Sequence, residues 1–127
     1  MKKTYRFPYV HYPLLPVQFF HKGRKTPVIA ALIDSGGDSV VIPRAIADYL
    51  GVETERTEKA KTAAGFTSIE RTKLKMIIGK NEIIYKDVDV FVINNNDMPV
   101  LLGREPLFED FEITFRKKKR EIVLTEA

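Results

Sequence analysis

The run Ala30-Ala-Leu-Ile-Asp-Ser-Gly-Gly-Asp-Ser-Val-Val41 constrains this chain more than any other segment. It opens as an apolar stretch, Ala30–Ile33, of the kind that forms a buried strand. A carboxylate, Asp34, closes that strand and is followed by a hydroxyl and two glycines. Val40, Val41 and Ile42 then resume the apolar pattern. Gly36 and Gly37 permit a sharp turn and the close approach of another backbone or a ligand. Such a turn presents Asp34 at a strand tip, with the Ser35 hydroxyl able to brace it. Asp-Ser-Gly is also an ordinary turn composition, so the tripeptide alone leaves a plain surface turn open.

The flanking chain reads as short strands broken by turn signals, which predicts a mostly β protein with one or two short helices. Val17–His21 and Thr26–Ile33 form a hairpin around Lys22-Gly-Arg-Lys25 and lead into the Asp34 turn. Pro43 and Gly51 frame a short helix with Ile46, Leu50 and Tyr49 as its core face. Lys61–Thr72 reads as a long hairpin with a small, glycine-containing middle at Thr62–Ser68. Lys73–Ile78 and Glu82–Ile93 are strands joined at Gly79-Lys-Asn81, and Val100–Leu102 is a short buried strand ending at Gly103. Glu105–Asp110 is a helical turn, and strands at Glu112–Phe115 and Glu121–Leu124 flank the basic run Arg116–Arg120. For Met1–Phe7 the residues allow a first strand or an interface arm.

The two landmarks together carry a resemblance. Leu32-Ile-Asp-Ser-Gly-Gly-Asp-Ser-Val40 resembles the active-site loop of retropepsin-like aspartic proteases, and Val100-Leu-Leu-Gly-Arg-Glu105 resembles that family's apolar-apolar-Gly-Arg segment. The resemblance runs from about Pro13 to Phe115. It implies an acid-protease fold, a closed β-barrel-like half with a flap hairpin, that works as a homodimer and hydrolyses peptide bonds. Asp34 would be the catalytic carboxylate, with Ser35 and Gly36 completing the catalytic turn. Gly36, Asp38, Ala64, Gly65 and Phe66 would contact substrate, the last three from the flap. Asp38 would also pair with Arg104 beside Gly103 and tie the two landmarks together, a structural role first. Gly37 departs from the family's usual alanine, and acidic digestive relatives carry a serine there. Ile33, Val41, Phe66 and Leu102 would line the cleft.

The chemistry of such a site needs two carboxylates. One accepts a proton from water while the other, protonated, polarises the substrate carbonyl, since like charges about 3 Å apart share one proton rather than both ionise. The chain holds one Asp-Ser-Gly turn, so the second carboxylate would be Asp34 of another copy.

Composition narrows the alternatives. A chain of 127 residues with 44% apolar content suits one domain, 1–127, with a real core. No apolar run approaches the ~20 residues of a membrane span, and the basic start lacks an apolar h-region, so no signal peptide and no membrane partner are expected. Zero cysteines exclude disulfides and thiolate chemistry and fit a cytoplasmic location. His11 and His21, in a proline-aromatic segment, give poor grounds for a metal, and no cofactor motif is present. The net charge of +4 and the basic run give weak grounds for nucleic acid. The expected partners are a second copy and a peptide or unfolded protein substrate. The rival reading is a non-catalytic peptide-binding or dimerisation module of the same fold.

Overall fold

The computed structural model describes residues 1–57, 60–62, 65–67 and 69–127. The strands, in chain order, begin with β1 Thr4–Pro8, β2 Leu14–His21, β3 Arg24–Lys25, β4 Ile29–Ile33 and β5 Val40–Pro43. Helix α1, Arg44–Leu50, follows, and then β6 Glu55–Arg56, β7 Ala60–Thr62, β8 Gly65–Thr67 and β9 Glu70–Ile78. The chain continues through β10 Ile83–Ile93, β11 Leu101–Leu102, an irregular turn at Arg104–Phe108, β12 Phe111–Arg116 and β13 Glu121–Glu126.

Six of these strands close a barrel. β2 pairs antiparallel with β4, β4 parallel with β11, and β11 antiparallel with β5. β5 then pairs parallel with β10, β10 antiparallel with β9, and β9 antiparallel with β2 again. Alternating residues point inward as the two-residue period of a strand requires. Leu15, Val17 and Phe19 of β2, Leu74, Met76 and Ile78 of β9, and Val88, Val90 and Val92 of β10 are all buried. Between Tyr85 and Val88 the register of β10 on β9 shifts, a bulge that bends the long strand around the barrel.

Local chemistry accounts for the connections. Lys22 and Gly23 both have positive φ, 44° and 82°, as a tight two-residue hairpin turn requires. Helix α1 starts directly after Pro43 and ends at Gly51 (φ 66°), whose N–H donates to Asp48 O at 3.1 Å. Ala47 and Leu50 are buried and Ile46 packs against the core, but Tyr49 is 58% exposed. At about 100° per residue, positions 46, 47 and 50 share a stripe that leaves 49 on its flank.

The Lys61–Thr72 hairpin is shorter than the sequence suggests. Ala60, Lys61 and Thr62 pair with Thr67, Phe66 and Gly65, whereas Glu70–Thr72 belong to β9 and pair with Val92–Val90 of β10. The alternation of Glu70-Arg-Thr-Lys-Leu-Lys-Met continues without a break into the barrel, and that pattern decides the boundary. Outside the barrel, β1, β13 and β12 form a three-stranded antiparallel sheet. The cations Lys117–Arg120 form the exposed β12–β13 turn.

Candidate active site

Strands β4 and β5, which flank the Asp34 turn, each pair with β11. The turn therefore straddles β11, and β11 supplies its floor. Asp34 N–H donates to Leu102 O at 2.9 Å, Gly103 N–H to Ser39 O at 3.1 Å, Arg104 N–H to Gly37 O at 2.9 Å and Glu105 N–H to Asp38 O at 2.9 Å. Gly103 is extended (φ −77°), so its need for glycine is one of space. A Cβ there would stand 2.5 Å from Ser39 O, 2.6 Å from Ser39 N and 2.9 Å from Gly37 C.

This seat holds Asp34 half-buried at the end of β4. Its Oδ1 accepts the Gly36 N–H at 3.0 Å, and Gly37 N–H donates to its main-chain O at 3.2 Å. Its Oδ2 lies over Gly37, where an added Cβ would approach to 3.0 Å. One carboxylate oxygen is thus fixed by the backbone of its own turn. Ser35 and Gly36 are exposed at the tip. The Arg104 guanidinium donates to Asp38 Oδ1, joining the two sequence landmarks as expected. Both side chains are more than half exposed, so backbone bonds rather than this pair carry the junction.

The structure brings Asp34, Gly36, Asp38, Gly103 and Arg104 into one junction. Gly65 and Phe66 belong to the separate β7–β8 hairpin, and Ala64 lies outside the described residues. The expected cleft lining needs correction. Ile33 and Leu102 are 8% and 0% exposed and face the barrel core. Val41, named in the expected lining, is half-buried on the other face with its cross-strand partner Leu101 and with Leu32, the partner of Leu101 on β4. The two-residue period, counted back from buried Ile33, is the signal that places Leu32 there. The backbone of Ser39 also escaped the sequence reading, because its role is a contact across more than 60 residues of chain.

Among the described residues there is no cluster of three or more His, Cys, Asp or Glu suited to a metal. His11 stacks edge-on against Tyr12 at 4.5 Å, and His21 ends β2. Tyr85 lines a cavity together with Ser39 and Glu105. Burial, and then the hydrogen bond from its hydroxyl to Asp110 Oδ2 at 2.7 Å, push its phenol well above the ordinary range. No helix among the described residues is long and apolar enough to cross a membrane.

A closed six-stranded barrel with an Asp-Ser-Gly turn seated on a Leu-Leu-Gly-Arg segment defines the retropepsin-like aspartic protease fold. The sequence matches the gag-polyprotein putative aspartyl protease family over residues 23–108, and the chain belongs to that family. The structure is similar to a retropepsin-like aspartic protease from Rickettsia conorii, with a TM-score of 0.70, 18% identity and coverage of 99% of this chain and 92% of that one. It is also similar to EIAV protease complexed with the inhibitor HBY-793, with a TM-score of 0.54, 18% identity and coverage of 77% and 86%. At these identities the likeness is one of fold. No curated protein sequence matches the chain.

Proposed function

We propose that residues 1–127 form one aspartic endopeptidase domain that acts as a homodimer. Two copies of Asp34, one from each subunit, share a proton across a two-fold axis. The ionised carboxylate takes a proton from water as the water oxygen attacks the peptide carbonyl, while the protonated one gives its proton to the carbonyl oxygen. The resulting gem-diol collapses as the carboxylic acid proton passes to the amide nitrogen and the other carboxylate takes a gem-diol hydroxyl proton, so that the C–N bond breaks to an acid and an amine and the pair again holds one proton. One observation carries this reading. Asp34 sits at a strand end with Oδ1 fixed by the Gly36 N–H, so the carboxylate is oriented by the backbone of its own turn.

The remaining roles follow from position. Leu32, Val41 and Leu101 form an apolar wall beside the Asp34 turn and suit apolar side chains next to the cut bond. The β7–β8 hairpin acts as the flap, with Ala64, Gly65 and Phe66 over the bound peptide. The intact Asp34-Ser35-Gly36 turn argues against a purely non-catalytic module.

The test is cleavage of an unfolded protein mixture by the purified chain and by Asp34→Asn. The substitution keeps the shape of the side chain and the acceptor for Gly36 N–H, but removes the base. Activity is expected to fall by about 10²–10⁴-fold with the circular dichroism spectrum unchanged. Equal cleavage by both proteins would refute the mechanism.

A further inference from the structure

The apolar wall beside the Asp34 turn does not stop at Val41. Leu32 pairs with Leu101, Leu101 with Val41, Val41 with Phe91 and Phe91 with Arg71, one row of partners across β4, β11, β5, β10 and β9. Side chains directly opposite each other share a face of the sheet. Phe91 and Arg71 therefore carry the wall outward on the same face, away from Asp34, and both line a cavity of about 350 Å³. That volume is in the range of a ligand pocket.

The other end of the cavity belongs to the Asp34 junction. Ser39 and Glu105 line it, and the Glu105 N–H donates to Asp38 O at 2.9 Å. A peptide that lies along Gly36 and Asp38 has Ser39 and Glu105 next in its path. Apolar surface comes from Val88, Phe91 and Pro106, and charge from the carboxylates of Asp87, Asp89 and Glu105 against the one guanidinium of Arg71. Lys73 bridges Asp87 and Asp89 at 3.5 and 3.8 Å, with all three side chains more than half exposed. Glu105 is exposed and makes no ion pair among the described residues.

We infer that this cavity selects a basic side chain of the substrate, further from the cut than the apolar residues, and that Glu105 sets the preference. A lysine or arginine matches both parts of the lining, since its alkyl stem covers apolar surface while its charged head stays at the polar rim. An acidic side chain would meet carboxylates there, a repulsive contact that adds discrimination. The inference rests on the reading of the chain as a peptidase. Two-fold symmetry gives each end of the cleft one such cavity. The substrate class is then a peptide with apolar residues at the cut and a lysine or arginine further out on either side.

Calorimetric binding to the full chain carrying Asp34→Asn tests this without any peptide being cut. The probes are short peptides with an apolar pair at the centre and alanine elsewhere, in which a single lysine or glutamate is moved outward position by position. At one outer position lysine is expected to bind about threefold or more tighter than alanine, and glutamate more weakly than alanine. Glu105→Lys, added to the same chain, should reverse that order at the same position. Glu105→Gln, which keeps the shape of the side chain, should lose at least part of the lysine preference. The peptide with alanine at every outer position should bind all three proteins equally, as an intact cleft requires.

No lysine preference at any outer position, or one that survives both Glu105 substitutions unchanged, overturns the inference, even where the wild type cleaves peptide and Asp34→Asn does not. A preference that reverses in Glu105→Lys upholds it. If the wild type then cleaves none of these peptides, the cavity stands as a binding site and the protease reading alone fails.

Discussion

Gly103 lies against the backbone of Ser39 with no room for a side chain: a Cβ there would stand 2.5 Å from Ser39 O. The two residues join the floor of the Asp34 turn to its far side, and the Gly103 N–H donates to the same oxygen at 3.1 Å. The Asp34 carboxylate is thus positioned by a backbone-to-backbone fit.

Gly103→Ala should therefore separate β11 from the turn. Overpacking of this kind costs about 1–3 kcal/mol, and here the atoms met are main-chain atoms that cannot rotate away. Urea unfolding should show a lower midpoint, and peptide cleavage should fall with it. An unchanged midpoint would mean the turn is not seated as described.

Arg104→Ala should be mild by comparison. Its ion pair with Asp38 is more than half exposed on both sides, and such pairs contribute within about 1 kcal/mol. The Arg104 N–H to Gly37 O bond survives the substitution. A loss of stability as large as that of Gly103→Ala would show that the side-chain pair, not the backbone, holds the junction.

Tyr85 gives the fold an alkaline limit. Burial first, and the bond to Asp110 second, raise its phenol above the ordinary value, which is about 10. Above that pH the unfolded chain releases this proton while the folded chain keeps it, so the contribution is complete below about pH 10 and declines as pH rises further. Tyr85→Phe should cost about 1 kcal/mol near neutrality and should lose less stability than the wild type between neutral and strongly alkaline pH. Parallel losses in the two proteins would contradict the assignment.

The pH–rate profile should be bell-shaped, because the carboxylate pair must hold one proton. A rate that changes in one direction only across the whole pH range would contradict the shared proton.

The parts of this account legible in the sequence are those written in adjacent residues. Apolar Ala30–Ile33 running into Asp-Ser-Gly-Gly specifies strand then turn, and Pro43 with Gly51 brackets α1. Val100–Gly103 could be matched to the Asp34 turn only by family resemblance, since its pairing with β4 and β5 spans some 60 to 70 residues of sequence. The β1–β13 ladder, whose partners are as distant as Thr4 and Thr125, leaves no local trace in the basic and aromatic Met1–Phe7. Tyr49, Ile33 and Leu102 were misread for a simpler reason. Apolar character alone does not say which face a residue takes, whereas counting the period from buried Leu50 or Ile33 does.

The central claim is that one chain carries half a catalytic centre, and sedimentation and peptide cleavage measured over one dilution series test it most directly. The account predicts that specific activity falls in step with the dimer fraction, and that excess Asp34→Asn subunits poison the wild type once subunits exchange. A monomer with constant specific activity at every dilution, indifferent to added Asp34→Asn, would contradict it.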